Sequence, residues 1–290
     1  MHLRLAWRNI WRNPRRTCVI LAAVGIGVWS NLSLGALSRG MVNDMLRHGI
    51  ATLTGHIQVH AAGYRDDPAI EHRLKSPSTV EEVLNRVLPE GARWASRVRV
   101  TAVAANARHS NGVILVGIDP AAEAKISFIG QSVHEGRYLL KDDPNAIVVG
   151  RALTDKLETR LGHRLVLMSQ SIDGQIASAS FRIVGVYRAE MQATEEQYVF
   201  VTKPAAQRML GLGDDVSEYA ILLPDAEGVT ATARRLSTGL PPGGEVQTWR
   251  ELLPLLDAYV SIFDGFMLMW YVVVFIAMAF GLVNTTLMAV

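Results

Sequence analysis

TCVILAAVGIGVWSNLSLGALS, residues 17–38, carries no charge over 22 residues and is bracketed by Arg16 and Arg39. About 20 apolar residues, rising about 1.5 Å each, cover a hydrocarbon core of roughly 30 Å, so the stretch reads as a membrane-spanning helix. A cleaved secretory leader has an apolar region of roughly 7 to 15 residues ending in a small-x-small site, which this stretch exceeds. GFMLMWYVVVFIAMAFGLVNTTLMAV, residues 265–290, is likewise uncharged, with Trp270 and Tyr271 near its start where an interfacial aromatic belt sits. It reads as a second span.

Working outward from the spans, charge divides the chain. All 27 acidic residues lie between Asp44 and Asp264, whereas Arg4, Arg8, Arg12, Arg15, Arg16 and Arg39 give residues 1–43 a charge of +6. Residues 44–264 carry 23 basic against 27 acidic groups, and residues 265–290 carry none. Arginine next to a span stays cytoplasmic, which puts the N-terminus inside and residues 39–264 outside the inner (cytoplasmic) membrane. The resulting organisation is a cytoplasmic elbow helix (1–14), a first span (15–38), an extracytoplasmic domain with a terminal stalk helix (39–264) and a second span (265–290). With 49% hydrophobic and 19% charged residues, disordered and collagen-like classes are excluded. The net +2 comes from this membrane charge pattern and points to no nucleic-acid partner. The single cysteine, Cys18, sits at the inner end of the first span, so the outer domain has no disulfide and depends on its core.

Before the first span, Leu3, Trp7, Ile10 and Trp11 recur on one helical face with Arg4, Arg8 and Arg12 opposite, until Pro14. That is a basic amphipathic helix lying in the inner interface, with Arg8 and Arg12 as candidates for receiving force from a cytoplasmic partner. In the outer section, His56, Gln58 and His60 alternate with Ile57 and Val59, a strand whose polar face is expected to be solvated. Further strands are expected near 93–108, 112–118, 146–149, 164–168, 179–187, 198–202 and 219–223. Helices are expected after Ser78, which forms a capping box with Glu81, and over 151–159, 203–210 and 226–237. The irregular mixture predicts an α+β domain. The sequence contains no phosphate loop, dinucleotide fingerprint, GxSxG or HExxH, so no catalytic, cofactor-binding or metal-ligating residue is named, and the chain is not expected to be an enzyme.

The end of the outer section predicts mechanics. Thr248 and Glu251 form a capping box, and the helix they open carries Leu252, Leu255, Leu256, Tyr259 and Phe263 on one face before entering the second span. A rod of about 40 residues, or about 60 Å, is expected, bent near Pro254 and founded on Trp249. Within the spans, Ala23, Gly27, Asn31 and Gly35 form one stripe, and Ala277 and Gly281 form a small-residue pair above Asn284. Small residues allow helices to approach closely in lipid, so Gly27, Asn31, Gly281 and Asn284 are interface candidates.

These residues resemble the permease subunits of bacterial ABC systems of the FtsX, MacB and lipoprotein-releasing type. The opening AWRNIWRNPRR (6–16) is similar to the family's cytoplasmic A-x-R-N-x-x-R-x-x-R helix, and THE run Thr54-Gly-His-Ile-Gln-Val-His60 with Gly63-Tyr64 to the first strand of its extracytoplasmic core domain. VGIDP (116–120), GRYL (136–139), IVVGRAL (147–153), LGHR (161–164), FRIVGV (181–186) and VQTW (246–249) follow in the family's order. The resemblance implies α-helical spans around a MacB-like periplasmic α+β core domain, and pairing of two permease copies. It also implies a separate cytoplasmic ATPase that supplies ATP and magnesium chemistry, so this chain needs no cofactor of its own. It further implies a docking stretch like F-E-R-x-x-E-x-G and two more spans beyond Val290, so the 290 residues read as the N-terminal part of a permease. The expected task is moving a lipoprotein, lipid or other amphiphile out of the membrane, with a periplasmic carrier as a further partner. An activator of a periplasmic hydrolase and a two-span sensor with an outer ligand-binding domain are the alternatives.

Overall fold

The computed structural model describes residues 14–225 and 228–287. The elbow segment with Arg8 and Arg12 lies outside them. The chain divides into a unit of two long helices, from residues 1–48 and 253–290, and a compact unit from Gly49 to Leu252.

In the helical unit, α1 (Pro14–Gly49) and a final helix (Pro254–Leu287) are each long and apolar enough to cross a membrane, over Thr17–Leu46 and Pro254–Gly281. Val19, Leu21, Trp29, Phe275 and Phe280 are exposed along them, an exterior that suits hydrocarbon rather than water. The first helix runs past the uncharged stretch through Arg39 and Asp44, because backbone hydrogen bonding does not end where apolarity does.

The compact unit opens with a π-helical turn (Ile50–Thr54) and β1 (Ile57–Ala61), followed by α2 (Pro77–Val87), β2 (Arg93–Ala105), β3 (Ser110–Ile118), the short α3 (Pro120–Glu123) and β4 (Val133–Gly136). Then come β5 (Ala146–Gly150), α4 (Arg151–Lys156), β6 (Arg164–Gln170), β7 (Ile176–Tyr187), α5 (Gln192–Gln197), β8 (Tyr198–Thr202) and α6 (Lys203–Leu210). The last elements are β9 (Glu218–Leu222), α7 (Val229–Gly239), β10 (Gly244–Thr248) and α8 (Trp249–Leu252), with the final helix as α9.

Strand pairing closes a ring. β2 pairs β3, β3 pairs β8, β8 pairs β5, β5 pairs β7, β7 pairs β6, and β6 returns to β2 at Val103↔Met168 and Ala105↔Val166. The ring mixes parallel pairs (β3 with β8, β5 with β7) with antiparallel ones, and closure pairs each of its strands on both sides, while β4, on β7, and β10 end the sheet. Its apolar core contains Val98, Val100, Leu115, Ile147, Val149, Leu165, Phe181 and Val201. Gly117 has no side chain because a Cβ there would stand 2.6 Å from Ala206 on α6, which packs against β3. A wing of β9, β1 and β10 continues the sheet from β2, all antiparallel, and α7 packs on β10 and α2.

The α+β content and most expected strands are present. β4 (VHEG) and β10 (GEVQT) lack the apolar alternation that marks a strand, and neither was expected. Helix α2 begins at Pro77 behind Ser76, with no side-chain cap, so Ser78 lies inside the first turn and the expected Ser78 capping box is not formed. Nor is the stalk one rod. α8 ends at Leu252 and α9 starts afresh at Pro254, where proline lacks the N–H that a continuing helix would use.

Candidate functional site

The site is the pair of junctions where the compact unit receives and releases the chain. At the first, Leu53 has φ 74 and Gly55 has φ 71. Glycine is required at 55, because a Cβ would stand 2.9 Å from the Ile221 carbonyl oxygen. Leucine at positive φ costs about 1–3 kcal/mol and persists only where its surroundings enforce it. Here the side chain is buried with Val116, Ile118 and Phe200, while its carbonyl accepts hydrogen bonds from Arg97 Nη1 and, at 3.4 Å, from Gln58 Nε2. Gln58 Nε2 also donates to the Thr54 carbonyl at 3.0 Å.

Arg97 is the centre of this junction. Its side chain is 1% exposed and donates through Nε and Nη2 to both oxygens of Glu123, at 2.9 and 2.7 Å, and through Nη1 to Glu218 Oε1 at 3.2 Å. Glu123 and Glu218 are 0% and 1% exposed. The placement is local in origin: Asp119 caps α3 by accepting from the Ala121 and Ala122 N–H groups, Pro120 occupies the first helical position, and Glu123 lies one turn on. Glu218 stands opposite Arg97 in the β2–β9 register and opposite His60 in the β1–β9 register. Burial alone would lower the Arg97 pKa; the facing carboxylates of Glu123 and then Glu218 outweigh it and raise it above the ordinary arginine value. Arg99 sits beside the pair, 3.7 Å from Glu218 Oε2 and over the Tyr198 ring.

At the second junction, Arg65 reaches from the loop after β1 to the last carbonyls of α8. Its Nη1 donates to the Glu251 carbonyl and, at 3.3 Å, to Gln247 Oε1, and its Nη2 donates to the Leu252 carbonyl at 3.5 Å. These are carbonyls that a helix end leaves without an intrahelical partner. The start of α8 has the expected capping pair: Glu251 Oε2 accepts from the Thr248 N–H at 2.6 Å and from its hydroxyl at 3.0 Å. Trp249 is buried, its backbone N–H donates to the His56 carbonyl at 3.0 Å, and Arg250 lies over its ring. Each junction is thus held by an arginine anchored in the sheet or its loops.

The candidates read from the sequence fall in different places. Trp249 belongs to the second junction; Pro254 starts α9. Gly27 would bring a Cβ to 3.6 Å from Met278 Sδ, and a Cβ at Gly35 would strike the Tyr271 hydroxyl, so the stripe has an occupant within its own chain. Asn31 Oδ1 is buried without a hydrogen-bond partner, and nothing lies within 4 Å of a Cβ at Gly281. Asn284 lies in α9. The polar face of β1 is a correction: Gln58 and His60 are buried, not solvated, because the π-turn lies over Gln58 and the Tyr64 ring packs beside His60. Arg97, Glu123, Glu218 and Arg65 were not anticipated. The signal was faint: Arg97 and Arg99 alternate with Val98 and Val100, which places both guanidiniums on one face of an otherwise apolar strand.

A family model described as the MacB-like periplasmic core domain matches residues 17–238. Over 296 residues the chain is 21% identical to the lipoprotein-releasing system transmembrane protein LolE of Haemophilus influenzae, covering 99% of this chain and 70% of that protein. Among solved structures, the extracellular domain of the noncanonic ABC-type transporter YknZ from Gram-positive bacteria is similar at 16% identity and TM-score 0.46, covering 66% of this chain and 99% of that one. The periplasmic region of MacB from Actinobacillus actinomycetemcomitans is similar at 12% identity and TM-score 0.47, covering 72% and 95%.

Proposed function

The chain belongs to the MacB-like periplasmic core domain family, within the ABC transporter permeases of the MacB, LolE and FtsX type, and from that premise we propose that it couples a cytoplasmic ATPase to movement of its outer unit. The work done is the release or export of a lipoprotein, lipid or similar amphiphile. The N-terminus is cytoplasmic, Gly49–Leu252 is extracytoplasmic, and a second permease copy completes the membrane part. The observation that carries the reading is the pair of arginine clamps: Arg97 holds the Leu53 carbonyl where the chain leaves α1, and Arg65 holds the Glu251 and Leu252 carbonyls just before α9. A helix displaced by a partner would pull on backbone tied directly into the sheet, so motion would reach the outer unit without loss in a slack linker.

The test is ATP-driven release of a lipoprotein from proteoliposomes holding the permease and its ATPase, with a soluble carrier outside. Arg65→Ala is expected to keep ATP hydrolysis and lose release. Equal release by the variant would remove the clamp from the mechanism, and no ATP-dependent release by the parent would remove the transport reading. Orientation is read separately by an impermeant maleimide on Asp173→Cys, which is expected to label from the outer side of intact cells.

A further inference from the structure

The π-helical turn Ile50–Thr54 holds the backbone in a form that its own residues do not favour. Leu53 is one of three non-glycine residues with positive φ among the described residues, and the buried one; Ser76 and Glu158 are exposed. The turn closes on a hydrogen bond from the Gly55 N–H to the Ile50 carbonyl at 2.8 Å, one residue wider than an α-turn. An ordinary ending is open to the same residues. With Leu53 right-handed, α1 would continue in i→i+4 pairing and stop at Gly55, since glycine at positive φ is the residue that most often follows a helix. Contacts from outside the turn prevent this. Arg97 and Gln58 donate to the Leu53 carbonyl, Gln58 donates also to the Thr54 carbonyl, and the Leu53 side chain is buried with Val116, Ile118 and Phe200. Backbone strain opposed by directional bonds and burial makes a two-state element.

We propose that this turn is a latch at the first junction with two discrete forms. One is the wide form of this structure. In the other, narrow form Leu53 is right-handed, its carbonyl has left Arg97 and Gln58, and its side chain has swung out of the cluster with Val116, Ile118 and Phe200. A π-turn spends more residues per turn than an α-turn, so narrowing lengthens the segment along the helix axis, and tension on α1 favours the narrow form. In both forms the chain beyond the turn stays fixed to the sheet, because the His56 N–H donates to the Ile221 carbonyl at 2.8 Å. The latch therefore adds one step to the motion and no slack. The step also reaches the second junction: the turn packs against α8, and the His56 carbonyl accepts from the Trp249 backbone N–H at 3.0 Å. The mechanical use of the latch rests on the proposed function. Its existence does not, and it is tested without ATPase or cargo, so the two fail separately.

The experiment is maleimide labelling of the whole chain in phosphatidylcholine nanodiscs, with Cys18→Ser removing the single native thiol. Leu53→Cys places a thiol at a site 3% exposed in the wide form, and Ala205→Cys places one at an equally buried site in the ring core. Leu53→Cys is expected to label at least about tenfold faster than Ala205→Cys, because local switching precedes global unfolding. Adding Gln58→Met keeps the volume and removes the amide donor, and is expected to raise the rate at 53 by a further factor of about five or more while leaving the rate at 205 unchanged. One common rate for the two sites would mean that only global unfolding exposes Leu53, and would overturn the inference. A Gln58→Met effect that is absent, or equal at both sites, would do the same. In the unmutated chain the Gly55 N–H, whose bond to Ile50 breaks at each switch, is expected to exchange about tenfold or more faster than the amides of β8. Exchange as slow as in β8 overturns the latch even if the cysteine variants do not fold.

Discussion

The closed ring and the three-strand wing share one sheet and bury opposite chemistry. In the ring, β2 turns Val98, Val100, Ala102 and Ala104 into an apolar core with Leu115, Ile147, Phe181 and Val201. Where β2 meets the wing, its other face turns Arg97 into a buried cluster with Glu123 and Glu218. The ring needs only volume and shape, which non-directional burial supplies. The wing needs directed partners, because a buried charge without one is far more costly than a misfitting methyl group. Packing therefore stabilises the ring, and the ionic cluster fixes where the backbone of the first junction lies.

The sharpest way to break the comparison is Arg97→Leu. It leaves Glu123 buried without its cation and Glu218 with only Arg99, at 3.7 Å, and is expected to cost about 3–5 kcal/mol, read as a lowered denaturation midpoint of the solubilised chain. Replacing Arg97, Glu123 and Glu218 together by apolar residues of similar volume should recover most of that loss. If the single and triple variants are equally unstable, the cluster is not the source of the effect. Leu115→Ala in the ring is expected to cost about 2–5 kcal/mol by leaving a cavity, with no dependence on pH.

The wing should also respond to acid. The Leu223 N–H donates to His56 Nδ1 at 2.9 Å, and burial lowers the His56 pKa below 6.5, with Asp225 opposing. Between the lowered folded value and 6.5 the unfolded chain binds more protons, so stability falls as pH falls through that window and is unaffected by this group above it. His56→Gln should flatten the slope of melting temperature against pH there; an unchanged slope would assign it elsewhere. The smallest effect is expected at Arg65→Ala, whose hydrogen bonds are exposed and amount to about 0.5–1.5 kcal/mol each at most. Its signature is faster amide exchange at α8 with little change in global melting, whereas a large global loss would make Arg65 part of the core.

Legibility in the sequence followed the same division. The ring strands announce themselves by apolar alternation, and β2, β3, β5, β7 and β8 were expected close to where they lie. β10 is invisible in sequence because its partners across the ladder, not its own composition, make it a strand. The buried cluster was missed for a related reason. Arg97, Glu123 and Glu218 are 26 and 121 residues apart along the chain, and each alone reads as an ordinary surface charge. The polar face of β1 was read as solvated because alternation identifies two faces but not what covers them.

By itself the sequence determined two apolar helices long enough to cross a membrane, the charge asymmetry around the first, an α+β section between them and the motif order of a permease family, all properties of local composition and spacing. Only the tertiary structure decided that six strands close into a ring, that α8 and α9 are separate helices, and that arginines from distant segments grip both junctions. Hydrophobic periodicity is written in neighbouring residues, whereas ring closure and charge pairing depend on which distant segments meet, and that is settled by packing the whole unit at once.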